Sequence, residues 1–192
     1  MQKDFSIKQN KFILMICGIE GFLLVIALIW GWYFKINPLR IIYFKYSHLF
    51  FALFAGLTLC TVNFFVINVL ADFIGFFRNL KEVYAEMTEI AANITIPGAL
   101  FIAVASGITE EIFFRGIIQP QFGIVVASIV FGLFHMGGKK VIYYSLYTML
   151  IGLYLGWLLV FTGNLLVTVI VHVLNNFIAL PYMRYYYHKY VK

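Results

Sequence analysis

Three charged side chains stand by themselves in a long apolar stretch. Between Ile90 and Gly138 the only Asp, Glu, Lys or Arg residues are Glu110, Glu111 and Arg115. Further along, two apolar runs carry one histidine each, His135 and His172, and the second adds Asn175 and Asn176. A carboxylate can take a proton from water, an imidazole can pass one on, and a carboxamide can donate to a developing oxyanion. Those are the parts that hydrolysis of an acyl bond requires. Spacing separates the roles. Glu111 and Arg115 stand at i, i+4 with the acid first, the favourable order for an ion pair along one helix. Glu110 lies ~100° away around the same helix and is free to face elsewhere. Phe131 and His135 share a face, as do His172 and Asn176. Two buried histidines could also serve only to bridge helices, since polar residues hold transmembrane helices together.

The elements that must position these residues are membrane spans. The chain has 192 residues, with 14 basic and 8 acidic side chains, 63% hydrophobic residues and a mean hydropathy of +0.93. A water-soluble domain of this size has too little interior for that much apolar surface. Soluble enzymes, disordered tails and disulfide scaffolds are excluded, and Cys17 and Cys60 sit apart in apolar runs. The pattern predicts an all-α, polytopic membrane bundle of about six transmembrane helices in a single domain, residues 1–192. The predicted spans are Phe12–Phe34, broken only by Glu20, then His48–Ala71, Pro97–Gln119, Gly123–Gly137, and two within Val141–Met183 divided at Thr162-Gly163-Asn164. The first apolar run is too long for a signal-peptide core and is expected to remain as a span. Asp72–Glu89 mixes charges with Phe, Leu and Tyr and reads as an amphipathic surface helix. Pro120–Gly123 is a turn, and Gly137–Lys140 breaks the following run.

Six spans put both termini on one side. With the N-terminus inside, the inner side collects Lys3, Lys8, Lys11, Arg78, Lys81, Lys139, Lys140, Arg184, Lys189 and Lys192, against Lys35, Arg40 and Lys45 outside. This distribution predicts cytoplasmic termini, and it accounts for the net charge of +6 without nucleic acid. Depth follows by counting. Glu110 and His135 are equidistant from the turn near residues 122–123, ~18–19 Å along their helices, and His172 lies ~14 Å below Gly163. Glu, His and His should therefore share one layer. An ionisable group at that depth costs at least ~2.5–3.5 kcal/mol and marks function by default. Glu20 has no evident partner and reads as structural, Asn63 and Asn68 as interhelical hydrogen bonders. His48 reads as an interfacial residue of no special role, and His188 as part of a terminal Tyr-rich belt.

Glu110-Glu111-x-x-x-Arg115, Phe131-x-x-x-His135 and His172-x-x-x-Asn176 form EExxxR, FxxxH and HxxxN motifs in that order. Together they resemble the three motifs of the CPBP family, the CAAX-protease and bacteriocin-processing (Abi-type) intramembrane proteases. The resemblance covers about residues 97–180, while the first two spans and the connector, 1–96, carry no motif. It implies an endopeptidase in which Glu110 with His135 activates water and His172 with Asn176 holds the oxyanion. Glu111, Arg115 and Phe131 would support them. The family has also been described as metalloproteases, and Glu110, His135 and His172 are a set that could bind zinc. The chain has no HExxH, and Asn is a poor zinc ligand; both mechanisms stay open, with the metal-free one favoured.

The partners implied are membrane lipid and a membrane-associated peptide or protein substrate. Richness in Ile, Phe, Tyr and Lys suggests an AT-rich bacterial source and hence the bacterial plasma membrane. There a peptide precursor, pheromone or membrane-bound regulator fits better than a prenylated CAAX protein. Two other functions compete: a bacteriocin self-immunity or signalling protein of the same fold, and a transporter with Glu110 as its proton-coupling carboxylate. A transporter would be expected to show paired inverted repeats, and none is visible.

Overall fold

A computed structural model describes residues 2–136 and 141–191, with side chains described from residue 9 on, except at residue 141. Among the described residues every regular element is helical. Helix α1 is Gln2–Phe34, and a short 3-10 turn, Pro38–Ile41, leads to α2, Tyr46–Phe65, which runs on through a π-helical turn, Val66–Leu70, to Phe73. Helix α3 is Gly75–Ala91. Helix α4, Ile96–Glu110, passes into a π-helical stretch, Glu111–Ile118, followed by α5, Gln119–Phe134. Helices α6, Val141–Thr162, and α7, Leu165–Tyr186, complete the bundle, with a last π turn at Tyr187–Val191.

Among the described residues five helical runs are long and apolar enough to cross a membrane: Gln9–Phe34, Tyr46–Phe73, Ile96–Phe134, Ile142–Thr162 and Leu165–Val191. The protein is a polytopic helical membrane bundle. The third run holds both the third and the fourth predicted spans. Its 39 residues are not one straight rod, because Gly123 adopts φ 82° and ψ 168°. That left-handed conformation suits a residue without Cβ. On a straight helix residues 110 and 135 would be ~37 Å apart, yet their side chains come within 3.7 Å. The chain therefore doubles back at the predicted Pro120–Gly123 turn. The returning limb ends at Phe134, so from Ile124 it is only ~16 Å long, about half a bilayer core. The fourth predicted span, Gly123–Gly137, is thus a half-helix that delivers His135 to mid-depth. The predicted break at Gly137–Lys140 lies outside the described residues.

Local chemistry fixes the ends of the elements. Pro97 sits in the first turn of α4, and the Thr95 side chain caps it by accepting from the Gly98 amide. Asn164 starts α7 by accepting from the Leu166 amide. It also accepts from the Tyr43 amide and donates to the Tyr43 carbonyl and to His48 Nδ1, so it pins the 35–45 connector to the head of α7. His48 thus has a structural partner. At the opposite end Gln9 donates to Thr95, Arg184 donates to the Ile94 carbonyl at 3.1 Å, and His188 approaches the Ala92 carbonyl. The start of α1 and the end of α7 share one end of the bundle, as an even number of crossings requires.

The predicted amphipathic connector is α3. Its buried residues Leu80, Val83, Thr88 and Ala91 face the bundle. Leu23 and Ala27 of α1 pack on Phe113, Phe114 and Ile117 of the π-helical stretch. Ala52, Ala55 and Leu59 of α2 pack on Leu155, Leu158, Val167 and Val171 of α6 and α7. A small residue lets α4 and α7 approach closely: a Cβ added at Gly107 would lie 2.6 Å from Val173 Cγ2 and 3.1 Å from its backbone nitrogen.

Candidate active site

The three motifs meet. Glu110 is 5% exposed, Glu111 0%, Arg115 1% and His172 5%. Glu110 Oε2 lies 3.7 Å from His135 Nε2 and 4.0 Å from His172 Nε2. One carboxylate oxygen and two imidazole nitrogens from three helical segments therefore share one locus. That oxygen has no hydrogen-bond donor among the described residues, and a buried acceptor without a partner is uncommon away from functional sites.

The outer nitrogens of both imidazoles are engaged. His135 Nδ1 donates to the Phe131 carbonyl at 2.8 Å, since a carbonyl can only accept. In the neutral ring Nε2 then presents its lone pair to the site. His172 Nδ1 lies 2.9 Å from Glu111 Oε1 and donates to that carboxylate. Glu111 in turn pairs with Arg115 at 3.1 Å. The predicted Glu111–Arg115 pair is present, and it does more than neutralise itself: it fixes the orientation of His172. Arg115 also donates to the Gly152 carbonyl at 3.3 Å and places its guanidinium 4.2 Å from the centre of the Phe131 ring. The Phe131 ring is 4.5 Å from the His135 ring and 5.9 Å from that of His172. Phe131 is therefore a common wall for Arg115 and both histidines.

The π-helical stretch begins at Glu111. The two adjacent acids point in different directions, as neighbours on a helix do, Glu110 toward His135 and Glu111 toward Arg115 and His172. π-Helical insertions concentrate at functional sites.

Asn176 donates to Ser106 Oγ at 3.0 Å and accepts from Asn175 at 3.2 Å. Asn63 donates to Asn175 at 2.7 Å and accepts from Tyr147 at 2.6 Å, while Asn68 accepts from Tyr182. Both asparagines of α2 bridge helices, as their positions in an apolar run predict. Glu20 differs from its sequence-based reading. It is 6% exposed and its carboxyl lies close enough to that of Glu110 for the two to interact electrostatically. Nothing in the sequence spacing relates residue 20 to residue 110; only its being the sole acid of span one singled it out.

A cavity of about 320 Å³ lies between α2, α3, α6 and α7. Its wall is mainly apolar, with Ile67, Leu80 and Met87 among its side chains, and His135, Asn63, Tyr147, Asn175 and Asn176 give it a polar patch. It thus reaches the site at His135 and Asn176, with Glu110 behind them. Among the described residues no group of three His, Cys, Asp or Glu side chains is arranged to hold a metal ion. Beside Glu110, His135 and His172, Asn176 would be a poor fourth zinc donor.

No curated protein and no solved structure matches the chain. One family model does, that of the Rce1-like type II CAAX prenyl endopeptidases, over residues 92–178. This is somewhat under half of the chain, and it includes Glu110, Glu111, Arg115, Phe131, His135, His172 and Asn176. Over that segment the chain is similar to the Rce1-like family, a match consistent with a CPBP-family intramembrane protease and supporting, at the level of the family, a CAAX-type endopeptidase held in the membrane.

Proposed function

We propose that the chain hydrolyses a peptide bond of a membrane-associated substrate with Glu110, His135, His172 and Asn176 as its catalytic residues. The observation that carries this reading is the convergence of Glu110 Oε2 with His135 Nε2 and His172 Nε2 beside the end of a largely apolar cavity. A water standing off the 3.7 Å line between Glu110 Oε2 and His135 Nε2 can donate one hydrogen to each. Its lone pair is then free to attack a carbonyl carbon. As the new C–O bond forms, Glu110 takes the water proton, and the carbonyl oxygen gains charge and accepts hydrogen bonds from Asn176 Nδ2 and from Nε2 of His172 in its imidazolium form, whose charge Glu111 balances. When the C–N bond breaks, the proton passes from Glu110 to the leaving amine. Glu111 and Arg115 hold His172 in register for this step.

The apolar wall suits a substrate that presents an extended segment from within or beside the bilayer. The excess of basic residues at the end shared by both termini supports a cytoplasmic location for that end.

The test is cleavage of two quenched fluorescent peptides in mixed micelles, one a prenylated CAAX peptide and one an unprenylated apolar peptide. Wild type should cleave at least one, and Glu110→Gln should lose ~10²–10⁴-fold while folding normally. Zinc chelation should leave the wild-type rate unchanged. A rate for Glu110→Gln above about a tenth of wild type would remove Glu110 from the chemistry. Loss with chelator and recovery with zinc would overturn the metal-free mechanism.

A further inference from the structure

Beside the site, five polar side chains from four helices form one hydrogen-bonded row. The Tyr147 hydroxyl (α6) donates to Asn63 Oδ1 (α2) at 2.6 Å, and Asn63 Nδ2 donates to Asn175 Oδ1 (α7) at 2.7 Å. Asn175 Nδ2 donates to Asn176 Oδ1 at 3.2 Å, and Asn176 Nδ2 to Ser106 Oγ (α4) at 3.0 Å. Ser106 donates to the Ile102 carbonyl at 2.9 Å.

The direction of this row is fixed at its end. A carboxamide has nearly the same shape when its nitrogen and oxygen are exchanged, so an isolated Asn fits either way. A carbonyl, however, only accepts, and a serine hydroxyl has a single hydrogen. With that hydrogen on Ile102, Ser106 must accept from Asn176, so the amide nitrogen of Asn176 faces Ser106. Its oxygen then faces Asn175, which must present nitrogen, and the same requirement passes to Asn63. Tyr147 can close the row because its hydroxyl donates. A reversed row would put the Asn176 oxygen where its nitrogen now lies.

One N–H of Asn176 is used on Ser106, which leaves the second for a substrate, and Asn176 lines the same cavity as His135. A carbonyl oxygen turned toward a developing oxyanion would oppose it, so amide orientation decides whether Asn176 helps or hinders.

We propose that Tyr147, Asn63 and Asn175 are positioning residues for the Asn176 carboxamide: by donating along the row to its oxygen they complete what Ser106 begins at its nitrogen, and together they hold it in the donor orientation that the reaction needs. The inference rests on the reading of Asn176 as an oxyanion donor. It assigns Asn63 and Tyr147, neither of them in any of the three motifs, a part in turnover besides helix bridging.

The experiment measures kcat, KM and thermal stability of the full chain in micelles, with the quenched peptide that wild type cleaves better. The variants are Tyr147→Phe, Asn63→Leu, Asn176→Ala and the double variant Asn63→Leu/Asn176→Ala. Asn176→Ala should lower kcat about 10²-fold, the loss typical of one oxyanion donor. Tyr147→Phe and Asn63→Leu should each lower kcat about five- to tenfold with KM unchanged, the effect of one neutral hydrogen bond. In the Asn176→Ala background, Asn63→Leu should cost nothing further in kcat, because the group it orients is gone.

A loss from Asn63→Leu of the same size with and without Asn176 would overturn the proposal and leave the row as helix glue. Near-wild-type kcat in Tyr147→Phe would overturn it too, and that variant keeps the ring, so the test survives if Asn63→Leu fails to fold. Asn176→Ala at full activity would sink the oxyanion reading beneath it, an outcome distinct from both.

Discussion

Arg115→Met is expected to destabilise the protein more than the double variant Glu111→Gln/Arg115→Met, although the double variant changes more. Arg115 and Glu111 are 1% and 0% exposed and 3.1 Å apart. Removing the guanidinium alone leaves a carboxylate buried without its counter-charge, at ~3–5 kcal/mol. Glu111→Gln alone strands the guanidinium at similar cost. Any neutral residue at 115 also loses the hydrogen bond to the Gly152 carbonyl and the contact on the Phe131 ring, together ~1–2 kcal/mol. The double variant keeps only that smaller loss, because the carboxamide that replaces the Glu111 carboxylate retains an oxygen to accept from His172 Nδ1. It should therefore cost ~1–2 kcal/mol, and the two positions should be coupled by at least ~3 kcal/mol. Unfolding by dodecyl sulfate titration in mixed micelles gives the four stabilities of the cycle. Losses that add to within ~0.5 kcal/mol would refute the reasoning, since independent sites behave in that way.

Gly107→Ala should lower stability by ~1–3 kcal/mol, the usual cost of overpacking. It should also lower kcat by about 10²-fold, because the new methyl presses on the backbone of Val173, next to His172, and a shift of ~1 Å misplaces a catalytic group. Thermal shift and peptide cleavage on one preparation check both, and an unchanged kcat would show that α7 yields without moving His172. Glu20→Gln keeps a polar side chain beside Glu110 and should hold kcat within about threefold, whereas Glu20→Leu replaces it with an apolar one and should lower kcat about tenfold. Equal activity in the two variants, measured by the same cleavage assay, would reduce Glu20 to a packing residue.

Helix geometry made much of the site legible before any coordinates. A rise of 1.5 Å per residue and a turn at Pro120–Gly123 are enough to place Glu110 level with His135, and the 3.7 Å contact between them is the structural counterpart of that count. Rarity did the rest, since an acid in an apolar run is costly enough to need a reason. What escaped has a common physical cause: those relations lie between helices, at angles that sequence spacing does not encode. Glu111 was legible as the partner of Arg115 because both sit on one helix. Its bond to His172 depends on how closely α7 approaches α4, which Gly107 and Val173 set. Glu20 looked solitary because its partner lies on another helix, 90 positions along the chain. The fourth span was drawn to Gly137 because an apolar run does not reveal that its helix ends at Phe134. His135 therefore stands at the tip of that short helix, where its Nδ1 bonds back to the Phe131 carbonyl and its Nε2 faces Glu110. A full-length helix would require the imidazole to project from the side of a continuous cylinder; a helix tip lets the ring enter the layer that Glu110 and His172 occupy.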